Sequence, residues 1–262
     1  MEPSLKNKFK HLLAFCSLFV SISSLASDWK KPEYLQQAFV EVALRNEYDT
    51  GKHLVRKWTQ PIGIWLDHRV GDEKKHEALA RMHMEHLAAI TGHELQLVNE
   101  LDKANVHLVF TRQSRWLQEV QSLLGSGAAK NLHGAVCMAN VATNIKDEIV
   151  KAWIVIPVDQ AQMHGKLLAC VVEELTQIMG LPNDSDKVYP SIFNDKTPQD
   201  LLSGLDGILL KMLYHKEVIP GMDETRVKAI LTPVLKRWTR DGTLANADKV
   251  IREGKLYPLL GY

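Results

Sequence analysis

The chain has 262 residues, of which 45% are hydrophobic and 24% charged, with 15 Gly and 10 Pro. This composition excludes collagen-like, low-complexity and intrinsically disordered chains and fits a globular protein long enough to bury a core. Lys and Arg total 32 against 31 Asp and Glu, which excludes the basic footprint of a nucleic-acid binder and leaves function to reside in a site.

Lys6, Lys8, Lys10 and His11 precede an apolar run from Leu12 to Leu25, and Ser24-Leu25-Ala26 places small residues at cleavage spacing. This pattern predicts a signal peptide over residues 1–26, cut after Ala26, and export to the periplasm or the medium. The run is about 14 residues, short of the roughly 20 that cross a bilayer, so no membrane span is expected after cleavage. Losing three Lys and one Glu moves the net charge from +1 to about −1, still near neutral. Export implies an oxidising compartment, and Cys137 and Cys170 are the two cysteines that remain. Either they bridge, closing a loop of about 34 residues, or they stay as two buried thiols. Neither lies in a Cys-x-x-Cys motif, which argues against redox catalysis.

Along the mature chain, Leu35, Phe39, Val42 and Ala43 predict an amphipathic helix over Pro32–Glu47. Ile62, Ile64 and Leu66 alternate, with Trp65 on the opposite face, predicting a strand over Pro61–Asp67. Leu79, Met82, Leu87 and Ile90 set a helix over Asp72–Thr91 that stops at Gly92, and strands follow at His93–Asn99 and Val106–Thr111. Trp116, Val120, Leu123 and Leu124 set a helix ending in the loop Gly125-Ser126-Gly127. Ala135–Thr143 and Glu148–Pro157 are apolar runs joined by the polar turn Asn144–Asp147 and read as strands. Helices are predicted over Ala161–Met179, Pro198–Tyr214 and Glu224–Trp238, the first closed by Gly180. No repeat or Pro-rich linker divides the sequence, so residues 28–262 are expected to form one domain of the α/β (α+β) class.

Candidate chemistry concentrates in Cys170-Val-Val-Glu-Glu-Leu-Thr-Gln-Ile-Met-Gly-Leu-Pro-Asn-Asp184. Glu173 and Gln177 are four apart and project from one helix face, with Glu174 about 100 degrees around from Glu173. Leu175, Ile178 and Met179 supply the apolar surface that holds the helix to a sheet, and Gly180 allows a turn that returns Asn183 or Asp184 toward Glu173 and Gln177. Glu173, Gln177, Asn183 and Asp184 make an oxygen-rich set that suits one hard divalent ion better than zinc. Without a metal, the same carboxylates supply a general acid beside a general base. The plainer alternative is a helix with two solvated glutamates and an amide on the following loop.

Other residues contribute less. His76, His83, His86 and His93 gather around the Asp72–Thr91 helix and read as a polar face, because a pair three residues apart does not complete a metal site. His133 and His164 are the histidines placed to approach the carboxylates from neighbouring elements. Trp58, Trp65, Trp116, Trp153 and Trp238 form no aromatic row and read as packing residues. No Gly-x-Ser-x-Gly elbow or glycine-rich phosphate loop occurs.

The acidic segment resembles the His-Glu-x-x-His helix of zincin metallopeptidases, extended in metzincins by a glycine and a third ligand. On that pattern Glu173 and Gln177 replace the two histidines, Glu174 matches the catalytic glutamate, Gly180 the glycine, and Asn183 the third ligand with Asp184 beside it. Ser191-Ile-Phe-Asn194 falls where the turn beneath the metal would lie, and Asp206 and Leu213-Tyr214 match the helix that closes such domains. More closely, the Cys-x-x-Glu-Glu-Leu-x-Gln-x-x-Gly-Leu-x-Asn-Asp string, Ser-Ile-Phe-Asn-Asp and Pro220-Gly221-Met222 resemble a secreted bacterial family, domain of unknown function 2927.

The resemblance implies a zincin-like mixed sheet with an active-site helix and C-terminal helices. Both ligating histidines are absent, which favours a pseudo-peptidase that binds an extended peptide or a cell-envelope polymer, the edge strand at Ala135–Thr143 serving for strand addition. The alternative is a peptidase-like hydrolase with Glu174 as general base, Glu173 beside it and a non-classical metal site.

Overall fold

A computed structural model describes residues 28–45, 53–132, 134–197 and 199–261. The expected signal peptide, the last residues of the first predicted helix, His133 and Pro198 lie outside the described residues.

The chain is of the mixed α/β class, built on a six-stranded sheet in the order β1-β6-β4-β2-β3, with β5 added to β6. The strands are β1 Lys57–Trp58, β2 Ile62–His68, β3 Leu95–Leu97, β4 Val106–Thr111, β5 Met138–Thr143 and β6 Glu148–Pro157. The first five in spatial order run parallel, whereas β5 lies antiparallel to β6, Met138 facing Val155 and Val141 facing Ala152. A tight turn makes that exception possible. Asn144 Oδ1 accepts from the backbone N–H groups of Lys146 and Glu148, and Asp147 adopts a positive φ of 61°.

Period-two alternation assigns each strand's faces. Ile64, Leu108, Ile154 and Ile156 enter the larger core with Met84 and Leu87 of helix α2 (Glu73–Thr91) and Val171, Val172 and Leu175 of helix α5 (Leu167–Gln177). On the reverse face Val109 and Val155 meet Trp116 and Val120 of helix α3 (Trp116–Leu124), and Trp65 lies against the His107 ring.

Helix α1 covers Pro32–Phe39 and continues as a π-helical turn at Val40–Leu44. It packs on helices α6 (Gly204–Leu213) and α7 (Glu224–Arg240). Among the described residues no helix is long and apolar enough to cross a membrane.

The structure departs from the predicted elements in several places, and the strands expected over His93–Asn99 and Ala135–Thr143 are confined to Leu95–Leu97 and Met138–Thr143. The helix expected over Ala161–Met179 is two, α4 (Val158–Met163) and α5. Gly165 takes a left-handed φ of 66°, and the Lys166 N–H donates to the Ala161 carbonyl at 2.7 Å, closing α4. Helix α6 starts at Gly204 rather than Pro198. There Ser203 and Asp206 form a reciprocal capping box. Helix α8 (Thr243–Ile251) and strand β1 were not predicted.

The expected polar face of α2 is also corrected, since His76, His83 and His86 are buried. His76 stacks on His68 and Phe110 of the sheet, His83 meets Thr176 of α5, and His86 lies against the Tyr257 ring.

Candidate functional site

The Gly165 turn sets the start of α5, and one side of this helix faces a cleft of ≈ 590 Å³. That volume lies in the usual range for ligand pockets. The facing wall is Gly134–Cys137 followed by β5. Among the described strands β5 pairs with β6 alone, so its other edge is open toward the cleft. The two walls are covalently joined, for Cys137 and Cys170 form a disulfide, with Cα atoms 5.8 Å apart.

Glu173, Glu174 and Gln177 line the cleft from α5, and Asp184 lines it from the loop beyond. Glu174 is 4% exposed, and the bland expectation of two solvated glutamates does not hold for it. The turn at Gly180 returns Asp184 to the helix, where Gln177 Nε2 donates to both carboxylate oxygens at 3.1 and 3.3 Å. Asn183 goes elsewhere. Its Nδ2 donates to the Glu41 carbonyl at 2.9 Å and its backbone N–H to the Val42 carbonyl at 3.2 Å, tying the loop to the π-helical turn. His164, which follows α4, is not part of the cleft lining.

Sequence reasoning missed Arg56, Lys166 and Asp195, which also line the cleft. They come from the segment before β1, the start of α5 and the turn after Asn194, and no local pattern marks them. Lys166 Nζ approaches Asp200 at 3.1 Å.

The C-terminal end of α5 is held by donors from two other elements. A helix leaves its last carbonyls without intrahelical partners. Trp58 Nε1 donates to the Ile178 carbonyl at 2.7 Å, and the Tyr214 hydroxyl donates to the Met179 carbonyl at 2.9 Å. Lys57, beside Trp58, donates from Nζ to the Leu213 and Val218 carbonyls at 3.0 and 2.6 Å. Burial pushes the Lys57 ammonium down to about 8.

Behind α5, Thr176 Oγ1 donates to the Val172 carbonyl at 2.6 Å and lies 2.9 Å from His83 Nε2. With the hydroxyl proton used on Val172, the His83 ring is assigned as the donor to Thr176. Burial holds His83 down to about 3, so it stays neutral at physiological pH.

The turn Ser191–Asn194 passes under the cleft, which Ile192 lines. Buried Asp206 organises it, accepting from the Ser191 hydroxyl at 2.5 Å, the Ile192 N–H at 3.1 Å and the Ser203 N–H at 2.7 Å. Desolvation outweighs these bonds and raises the Asp206 carboxyl to about 6.

Among the described residues no group of three or more His, Cys, Asp or Glu is placed to hold a metal ion. The donor chemistry agrees, because the Gln177 amide N–H group is turned to Asp184 and the Asn183 side chain to Glu41. The side chains at two of the motif's ligand positions are thus engaged with protein partners, Gln177 with Asp184 and Asn183 with Glu41.

A family model described as a protein of unknown function, DUF2927, covers residues 32–233, from α1 into α7. No curated protein matches the sequence. The matched span contains the sheet, α5 with both glutamates, the Gly180 turn and the Asp206-anchored loop, and the chain accordingly belongs to the DUF2927 family.

Proposed function

We propose that this is an exported, zincin-like pseudo-peptidase whose cleft binds an extended peptide, free or carried on a cell-envelope polymer. The observation that carries this reading is the open edge of β5 along a ≈ 590 Å³ cleft, facing the helix that bears Glu173 and Glu174. An exposed strand edge offers unpaired N–H and C=O groups in the spacing that an extended chain needs. Export rests on the leader pattern of residues 1–26 and on the Cys137–Cys170 bridge, which suits an oxidising compartment.

Loss of catalysis follows from the ligand positions. With Gln177 bonded to Asp184 and Asn183 to Glu41, no Lewis acid is positioned beside Glu174 by these side chains. A hydrolase reading keeps support from Glu174 itself, a buried carboxyl on the cleft wall and a reasonable general base for water.

One experiment separates the two. A fluorescein-labelled pool of random octapeptides is titrated against the purified protein and a Glu174→Gln variant, with mass spectrometry of the peptides afterwards. Binding that survives the substitution within about threefold, without cleavage products, is the expected result. Products that form with the natural sequence and vanish in Glu174→Gln would establish the hydrolase instead.

A further inference from the structure

The Cys137–Cys170 bridge spans the cleft itself. Cys170 lies three and four residues before Glu173 and Glu174, and residues at those separations share a helix side. Cys137 ends the segment Gly134–Cys137, which forms the cleft rim just before β5 begins pairing with β6.

Val136 and Cys137 pack, partly buried, against the larger core, so the rim is held by side-chain packing ahead of the strand ladder. Among the described residues between α3 and β5 the regular structure is one short 3-10 turn, Ala128–Asn131, and Gly125 and Gly134 both take a positive φ of 89°. Leu132 and Ala135 are only partly buried where they touch the smaller core. From Met138 onward the strand is secured by its ladder with β6, and α5 is secured at its end by Trp58 and Tyr214. The bridge thus joins a rim held by partly buried packing to a helix whose end is held by hydrogen bonds.

We infer that the Cys137–Cys170 disulfide is a redox clamp on this cleft: oxidised, it holds the rim against the helix that carries Glu173 and Glu174, and reduction by a dithiol releases the rim and weakens binding. The inference rests on the peptide-binding reading for its consequence but not for the clamp itself.

The exchange balances. Cys137 is part-exposed on the cleft wall and Cys170 is buried, so the thiolate of a dithiol attacks Cys137 Sγ. A mixed disulfide forms, Cys170 leaves as a thiolate and takes a proton. The second thiolate of the reagent then closes to its own disulfide and frees Cys137, which takes a second proton. The dithiol is oxidised by two electrons and the protein is reduced by two.

Because Cys137 lines the cleft, an occupant covers the sulfur that is attacked. Coupling between the two events is reciprocal. If the oxidised form binds the occupant about tenfold more tightly, saturating occupant lowers the bridge's reduction potential by about 30 mV.

The test compares the oxidised protein, the protein equilibrated with dithiothreitol, and a Cys137→Ser, Cys170→Ala double variant. Hydrogen exchange is followed along the chain, and the labelled octapeptide pool is titrated against each form. The expected result is that backbone protection over 134–137 disappears without the bridge while β4 and β6 stay protected, and that affinity falls about tenfold or more. Equal rim exchange in all three forms would overturn the clamp. So would loss of protection in β4 and β6 along with the rim, since the bridge would then staple the whole fold. If the rim is released but even the oxidised form binds none of the pool, the clamp stands and the peptide-binding reading fails.

Discussion

Gly180 is the residue whose identity is most tightly dictated by its surroundings. Its φ is +112°, and a Cβ built there would lie 2.1 Å from the Arg56 carbonyl oxygen. Both facts belong to one need, for the chain must turn at the end of α5 and pass directly over the segment leading into β1. A side chain at this position has to displace backbone, which cannot rotate out of the way as a flexible side chain can. Gly180→Ala is expected to destabilise the protein by about 2–4 kcal/mol, read as a shift of the urea midpoint at unchanged slope. A shift worth less than about 1 kcal/mol would mean that the close approach relaxes easily. Asn183 teaches the complementary lesson at the same scale. Its distance from Gly180 matches the third-ligand position of a metzincin, yet its amide serves the Glu41 carbonyl, a partner 142 residues away.

At the level of elements, α5 depends on its neighbours at its C-terminal end. Trp58 closes one of its orphan carbonyls from a two-residue strand that no periodicity reveals. Trp58→Phe keeps an aromatic ring but removes the N–H donor and leaves the Ile178 carbonyl without that partner. A loss of about 2–3 kcal/mol is expected from the unmade bond plus the smaller ring, measured by thermal or urea unfolding. An unchanged midpoint would remove Trp58 from the support of the site.

The same contrast explains how much was legible from sequence. β2, β4, β6, α2 and α3 were readable because each carries its own apolar period and its own stop signal. The edges of α5 and α6 were not, although Gly165 and the Ser203-x-x-Asp206 box stood in the sequence. The apolar stripe of each predicted helix ran on past these local signals, and Leu201 and Leu202 are buried without being helical. Within the site, Glu173, Glu174 and Gln177 were legible because one helix carries all three. Arg56 and Asp195 depend on loops that only the tertiary fold brings to the cleft.

For the whole molecule, the acid behaviour of Asp206 connects site architecture to stability. This carboxyl anchors the turn Ser191–Asn194 under the cleft and the first turn of α6 together. Its folded pKa is raised to about 6 from the ordinary 3.8, because complete burial penalises the charge more than its hydrogen bonds favour it. The folded state therefore binds this proton more strongly than the unfolded state does. The resulting stabilisation is fully present below about pH 4 and is lost as pH rises to about 6, with a total on the order of 3 kcal/mol. Other groups titrate in the same window, so the contribution has to be isolated by difference. Asp206→Asn removes the proton while keeping an acceptor for the Ile192 and Ser203 N–H groups. Urea unfolding of both forms from pH 4 to 7.5 is expected to show the natural protein's advantage over the variant falling steadily up to about pH 6 and flattening above it. A difference that is constant across this range would show that the carboxylate is already ionised throughout, its three hydrogen-bond donors having outweighed burial. In that case the turn under the cleft would be held equally firmly at acid and neutral pH.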